Sequence, residues 1–185
     1  LHVPVQSGDD AILETMRRPY TTADLAAFIH KAKAMMPDLG LGTDVIVGFP
    51  GETEASFART RAFLETLPLT YAHVFSFSER LKTSAARMEG KVDRRVVKAR
   101  SESLRGWAAG LKAAFHREHV GREVEVLMET VDEDGLRKGL TGNYLRVGVD
   151  PAAASENDLV RVRVECAERD FVAGAVVAAV GGAQQ

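Results

Sequence analysis

Apolar and polar positions follow two different periods along the chain, and the change falls near residue 120. Before it, helical spacing alternates with short β-branched runs. Residues 1–6 read as a short strand, with Pro4 marking a strand end or irregular edge. Asp9 or Asp10 caps a short helix carrying Ile12, Leu13 and Met16. Thr21 or Thr22 starts the next, with Leu25, Phe28, Ile29, Ala32 and Met36 at helical spacing, and Pro37 ends it. A strand over 41–47, a helix near 54–66, a strand Tyr71–Phe77 and a polar loop Ser78–Gly90 follow. This β-α-β-α-β order with short connections predicts parallel strands joined by right-handed crossovers. Residues 92–119 predict a long helix, with Val97, Leu104, Trp107, Ala108, Leu111 and Phe115 on one stripe and Gly121 as its stop.

After Gly121 the period becomes two. Glu123-Val-Glu-Val-Leu-Met-Glu129 alternates, and further strands are predicted at 136–141, 144–149, 159–165 and 171–177, separated by turn residues. Five short strands in so short a span predict a small antiparallel barrel. The boundary is placed near residue 120, giving an α/β portion over 1–118 and an all-β portion over 121–180. Gly181 to Gln185 read as frayed.

The most distinctive stretch is Gly42–Thr53. Val45, Ile46 and Val47 suit a strand covered on both faces. Gly48 and Gly51 bracket Pro50 in a sharp turn, and Thr53 stands where a helix N-cap is wanted. Such βα turns lie at the carboxyl ends of parallel strands, where α/β proteins place their ligands. The turn lacks the Lys-Ser/Thr pair of a P-loop and the G-x-G-x-x-G of a dinucleotide fold, so phosphate binding is a weak reading. Glu52 reads best as a first-turn helix acid.

Composition narrows the class. At 45% hydrophobic content a core is within reach. No apolar run is long enough to span a bilayer and no signal peptide opens the sequence, so no membrane role is expected. The chain opens inside a strand-like segment, from which we expect further residues upstream. One cysteine, Cys166, leaves no intramolecular disulfide and no cysteine-rich metal or iron–sulfur site, and a reduced, cytoplasmic setting is expected. Residues 91–118 hold eight Lys/Arg against three Asp/Glu, whereas 121–180 hold seven against twelve. A basic stripe attracts phosphates, but a solvated helix face explains the first count as well.

Candidate chemistry is sparse, and no residue stands out as catalytic. Gln6, Ser7 and Asp9 follow a strand end and Asp44 lies in the next strand, where each can face a ligand; ordinary turn chemistry explains the same residue types. Arg17 and Arg18 offer a guanidinium fork for a carboxylate or phosphate, or simply favourable charges at a helix C-terminus. His2, His30 and His73 read as lone residues, and His116 with His119 as a structural pair, none with triad or zinc spacing. No metal site is expected. In the β portion, Asn143, Tyr144 and Arg146 put an aromatic beside a cation, which suits base stacking and phosphate contact.

Asp44-Val-Ile-Val-Gly-Phe-Pro-Gly-Glu-Thr53, preceded by Leu1-His-Val-Pro-Val-Gln-Ser-Gly-Asp9 and Met16-Arg-Arg-Pro-Tyr-Thr21, resembles the radical-SAM methylthiotransferases, the MiaB/RimO/MtaB group. Tyr71–Arg80 and Thr83–Met88 resemble its MtaB-type branch most closely, with Lys82 and Ser84 as departures. The resemblance implies the C-terminal half of a radical-SAM partial (β/α) barrel followed by a small all-β, TRAM-like RNA-binding barrel. It implies an enzyme that adds a methylthio group to N6-threonylcarbamoyladenosine at tRNA position 37, using S-adenosylmethionine and [4Fe–4S] clusters. On this reading Gln6, Ser7, Arg18, Asp44 and Val47 belong to the cofactor site, and Asn143, Tyr144 and Arg146 to the tRNA surface. The cysteines that hold such clusters are absent here, so the chain alone is expected to be inactive and without a cluster. An open edge along Leu1–Val5 is expected to pair with another copy. The alternatives are a RimO-type enzyme acting on a ribosomal protein and a non-catalytic RNA-binding module.

Overall fold

The computed structural model describes residues 1–79 and 83–181. Of the residues 181–185 expected to fray, Gly181 instead pairs with Leu159 in a strand, and 182–185, the Lys82 departure and part of the Ser78–Gly90 loop lie outside the described residues. The chain divides into two compact units, Leu1–Leu111 and from Lys112 onward. The division falls inside the long helix, earlier than the change of period suggests, because the last turns of that helix pack on the second unit.

In the first unit, α1 (Asp10–Thr15) is capped by the Asp9 side chain, which accepts from the Ile12 N–H. Helix α2 (Thr22–Met35) opens with a full capping box between Thr21 and Asp24. Strand β1 (Gly42–Val47) is followed by α3 (Glu54–Glu65), capped by Thr53, and then by β2 (Tyr71–Ser76). The two strands pair in parallel, Asp44 opposite His73. Residues 1–6 lie along the other side of β1 but form only isolated bridges, at His2 with Gly42 and Gln6 with Val45. Pro4 has no N–H to give the ladder, and the neighbouring donor is redirected: the Val5 N–H donates to Thr43 Oγ1, whose hydroxyl donates to the Val3 carbonyl. Val5, Leu25, Ile29, Leu41, Val45, Val47, Leu64 and Leu104 form the core.

The long helix α4 (Arg94–His119) contributes Leu104 and Trp107 to that core. In the second unit its Phe115 packs against a core of Val126, Met128, Leu145, Val147, Val160, Val162 and Val172. That unit is a closed barrel of β3 (Glu123–Val131), β4 (Arg137–Thr141), β5 (Arg146–Val149), β6 (Leu159–Ala167) and β7 (Val172–Gly181), in ring order β3-β4-β5-β7-β6. One pairing corrects the antiparallel expectation: β5 and β7 run parallel. A closed ring with an odd number of strands has at least one parallel pair. Around its outside, Glu123 faces Arg163 and Glu125 faces Arg161 in register, at 2.7 and 3.4 Å. The E-x-E and R-x-R alternations are therefore cross-strand partners.

Candidate functional site

The sheet of the first unit has two unlike faces. Because side chains alternate along a strand, Val3, Val5, Val45, Val47 and Val74 point to the helices. His2, Asp44, Tyr71, His73 and Phe75 share the opposite face. There His2, His73 and Phe75 are exposed, and Asp44 and Tyr71 are half-buried. The rings form a continuous series, with His2 5.8 Å from His73, Tyr71 5.4 Å from His73, and His73 6.4 Å from Phe75. His2 Nε2 lies 3.1 Å from Asp44 Oδ1, and His2 Nδ1 lies 3.3 Å from the Tyr71 hydroxyl. Any Cβ at residue 42 would overlap the Tyr71 ring, so Gly42 is what lets that ring lie across β1. His2 and His73, which read as isolated in sequence, are thus not isolated in the fold. Their partner is two strands' register away, a relation that no local spacing encodes.

At the carboxyl end of the sheet, Gln6 adopts a left-handed backbone (φ 67) while buried. Its N–H donates to the Asp44 carbonyl at 2.8 Å and its carbonyl accepts from Ile46 at 2.9 Å. A non-glycine residue in that region carries strain of about 1–3 kcal/mol, a cost that tends to be found at functional sites. Ser7 is buried with its hydroxyl 3.2 Å from Thr60 Oγ1 and accepting from the Asp9 N–H, so it ties the strand end to α3. Burial works to raise the Asp9 carboxyl, but the hydrogen bonds from Arg59 Nε (2.6 Å) and the Ile12 N–H outweigh it and hold Asp9 below the usual carboxylate range. Arg18 is exposed just past α1, within electrostatic reach of Tyr20, whose hydroxyl donates to the Pro4 carbonyl. Of the five cofactor-site candidates, Asp44 lies on the open face, whereas the Val47 side chain is in the core and the Ser7 hydroxyl is buried against α3. Gln6 and Asp44 are joined through the backbone.

The glycine-rich turn is closed on itself. Gly48 (φ 80) donates its N–H to Glu52 Oε2 at 2.8 Å, Gly51 donates to the Gly90 carbonyl, and Glu52 donates to the Phe49 carbonyl. Glu52 is not a first-turn helix acid; that place belongs to Glu54. Its carboxylate is buried and paired with buried Arg100 Nη1 at 2.8 Å, and Arg100 Nη2 reaches Glu54 at 3.0 Å. The carboxylate thus takes up the Gly48 N–H, which is not left free for a ligand anion. Burial pushes the Glu52 carboxyl above its ordinary value, and the Gly48 N–H and Arg100 offset this only in part. Sequence reasoning missed this pair because Arg100 is one cation among many on its helix. Beside the turn is a cavity of about 940 Å³, lined by Gly48, Ser76, Lys91, Arg94, Lys98 and Arg105 among others. Glu79 pairs with Lys91 at 2.9 Å and Glu102 with Lys98 at 3.9 Å, so the charge excess read from sequence is largely neutralised there.

In the barrel, Asn143 and Tyr144 form the turn between β4 and β5. The Thr141 hydroxyl donates to Asn143 Oδ1, and Tyr144 is left-handed (φ 66) and 71% exposed. Arg146 pairs with Asp132 at 3.1 Å. His116 and His119 are buried with Nδ1 against the Glu168 and Phe115 carbonyls, as structural histidines. Burial lowers the His116 pKa below its ordinary value, and the Glu168 carbonyl resists that only in part.

Residues 1–64 match the Radical SAM superfamily. Similarity to curated proteins runs across both units. The threonylcarbamoyladenosine tRNA methylthiotransferase MtaB of Bacillus subtilis is 34% identical over 168 residues, 89% of this chain. The chain belongs to the radical-SAM methylthiotransferases. Two further members are tRNA-2-methylthio-N(6)-dimethylallyladenosine synthases, from Thermobifida fusca (43% over 144 residues, 77% of this chain) and Acetivibrio thermocellus (36% over 179 residues, 96% of this chain). The chain spans 37%, 29% and 37% of these three methylthiotransferases, about a third of their length. The mixed α/β unit followed by a closed five-stranded barrel agrees with the architecture that the sequence resemblance implied.

Proposed function

We propose that this chain is the cofactor-facing and tRNA-facing part of a cytoplasmic enzyme that methylthiolates N6-threonylcarbamoyladenosine at tRNA position 37. The observation that carries the reading is the 34% identity to the MtaB protein over 89% of the chain, sheet and barrel together in one order. The identity of 43% to a dimethylallyladenosine-type synthase favours a second reading, in which the same chemistry acts on dimethylallyl-modified adenosine. The strained Gln6 at the carboxyl end of the sheet, with Ser7, Asp44, the backbone of Val47 and Arg18, is the proposed S-adenosylmethionine side. Asn143, Tyr144 and Arg146 are the proposed tRNA contact, Tyr144 being the most exposed large side chain on the barrel's β4–β5 turn.

Radical-SAM chemistry also uses [4Fe–4S] clusters held by several thiolates. The residues present do not fit such a cluster: the chain has one cysteine, Cys166, exposed on β6. The thiolates must come from residues outside these 185, and we propose that the chain alone is inactive. Self-association through the outer side of residues 1–5 remains part of the proposal, since among the described residues that side pairs with no strand.

Titrating anticodon stem-loops carrying each modified adenosine, the matching unmodified stem-loop, a ribosomal protein and S-adenosylmethionine tests these readings separately. Preference for the threonylcarbamoyl stem-loop, with affinity falling steeply with salt as counterions are released, is the expected result. Preference for the dimethylallyl stem-loop moves the assignment to the second reading. Equal affinity for all RNAs with no S-adenosylmethionine binding leaves a non-catalytic RNA-binding module, and binding of the ribosomal protein alone supports a RimO-type enzyme.

A further inference from the structure

We propose that His2, Asp44 and His73 form a binding site for one divalent first-row transition cation, with Tyr71 as its positioning residue. The three side chains come from three adjacent extended segments and share the open face of the sheet. Asp44 and His73 are direct register partners on β1 and β2, and His2 bridges to Gly42, two residues before Asp44 on the same face. One candidate ligand atom from each, the two imidazoles and the carboxylate, can be chosen so that all lie within 4.8 Å of one another.

Ligand atoms about 2.0–2.2 Å from a tetrahedral zinc stand roughly 3.3 Å apart. The His2 Nε2 to Asp44 Oδ1 distance of 3.1 Å already meets that spacing. His73, whose candidate ligand atom lies within 4.8 Å of those of His2 and Asp44, must close in if zinc-type bond lengths are to be reached. It is exposed, so a side-chain rotation costs no core packing. The Tyr71 hydroxyl, 3.3 Å from His2 Nδ1, accepts the proton of the tautomer that leaves the Nε2 lone pair aimed at the site. Gly42 holds Tyr71 in that position by leaving room for its ring.

The donor set selects the ion. Calcium and magnesium prefer all-oxygen shells, whereas two imidazoles and one carboxylate suit zinc, cobalt or ferrous iron. Three protein ligands leave a fourth position for water or another small ligand, as in catalytic rather than structural zinc sites. The site contains no thiolate. It shares Asp44 with the proposed S-adenosylmethionine side, but His73 and Tyr71 belong to it alone, so their variants separate the two readings.

The test is titration of the chelator-treated chain with Co²⁺, followed through its visible d–d bands and by calorimetry, with Zn²⁺ as competitor. One equivalent should bind with the intense bands of a four- or five-coordinate ion, and C166S should bind equally well. Loss of an outer-shell partner costs ~10–100-fold in metal affinity, so Tyr71→Phe should fall in that range and Asp44→Asn or His73→Ala should lose at least ~100-fold. Circular dichroism of each variant checks that the fold is kept; His73 is exposed, so its variant should pass. A spectrum of six-coordinate aqua cobalt, affinity unchanged in His73→Ala, or loss of binding in C166S would each overturn the assignment.

Discussion

The two units place their polar residues on opposite plans. In the barrel, charges on neighbouring strands answer each other in register, Glu123 with Arg163 and Glu125 with Arg161, and the ring closes every sheet edge. Those charges are satisfied locally, and the barrel also exposes the apolar or aromatic side chains of Leu127, Val131, Tyr144, Val177 and Val180. In the first unit the sheet is only two strands plus an irregular third segment, covered by helices on one face. Its other face carries His2, Asp44, Tyr71 and His73 in mutual contact but open to solvent. Closure makes the barrel self-sufficient, whereas one-sided coverage leaves the first unit with a surface on which chemistry can be placed. A second contrast lies in their buried titratable groups. The first unit buries an acid beside a guanidinium, and the second buries a histidine against a backbone carbonyl.

The sharpest way to break the first unit is through that acid pair. Arg100→Ala leaves the Glu52 carboxylate buried without its cation and should cost about 3–5 kcal/mol. Chemical denaturation should show the loss, and hydrogen exchange should place it in β1 and α3. Met128→Ala opens a cavity in the barrel core and should cost about 2–5 kcal/mol, with faster exchange in β3 and β6.

Smaller in effect, but more telling, is pH. The native Glu52 carboxyl titrates above its unfolded value near 4.5, so between those values the native state binds more protons than the unfolded chain. Its contribution is full below the unfolded value and is lost as pH rises through the folded one. His116 behaves oppositely. Its native pKa lies below the ordinary 6.5, so its contribution is present above 6.5 and is lost as pH falls through the folded value. Stability differences between the unsubstituted chain and Glu52→Gln should therefore decline with rising pH, while those against His116→Gln should decline with falling pH. Slopes of the same sign for both variants would remove the contrast. Smallest of all, a double-mutant cycle on Glu123 and Arg163 should give ~0.2–1 kcal/mol, fading in high salt because both are exposed.

Much of this fold was legible in the chain. Asp9, Thr21 and Thr53 act as the caps their positions predicted, because capping is a contact between residues two or three apart. The five barrel strands follow from alternation and turn residues. The parallel β5–β7 pair was not legible, because strand direction around a ring depends on which distant edges meet. At the candidate site, the strand end bearing Gln6 and the presence of Asp44 could be read directly. The left-handed backbone of Gln6 and the Glu52–Arg100 pair could not.

The sequence by itself determined where helices and strands begin, which positions are apolar, that the chain changes character near residue 120, and which family it resembles. The first three rest on interactions between near neighbours or on local periodicity, and the last on the resemblance of three ordered motifs. Tertiary structure alone decided which polar residues meet. His2, Asp44 and His73 share a face only because three parallel segments fix their registers, and Glu52 is buried only because α4 delivers Arg100 to it. Such partnerships join residues tens of positions apart, and nothing in their local surroundings announces them.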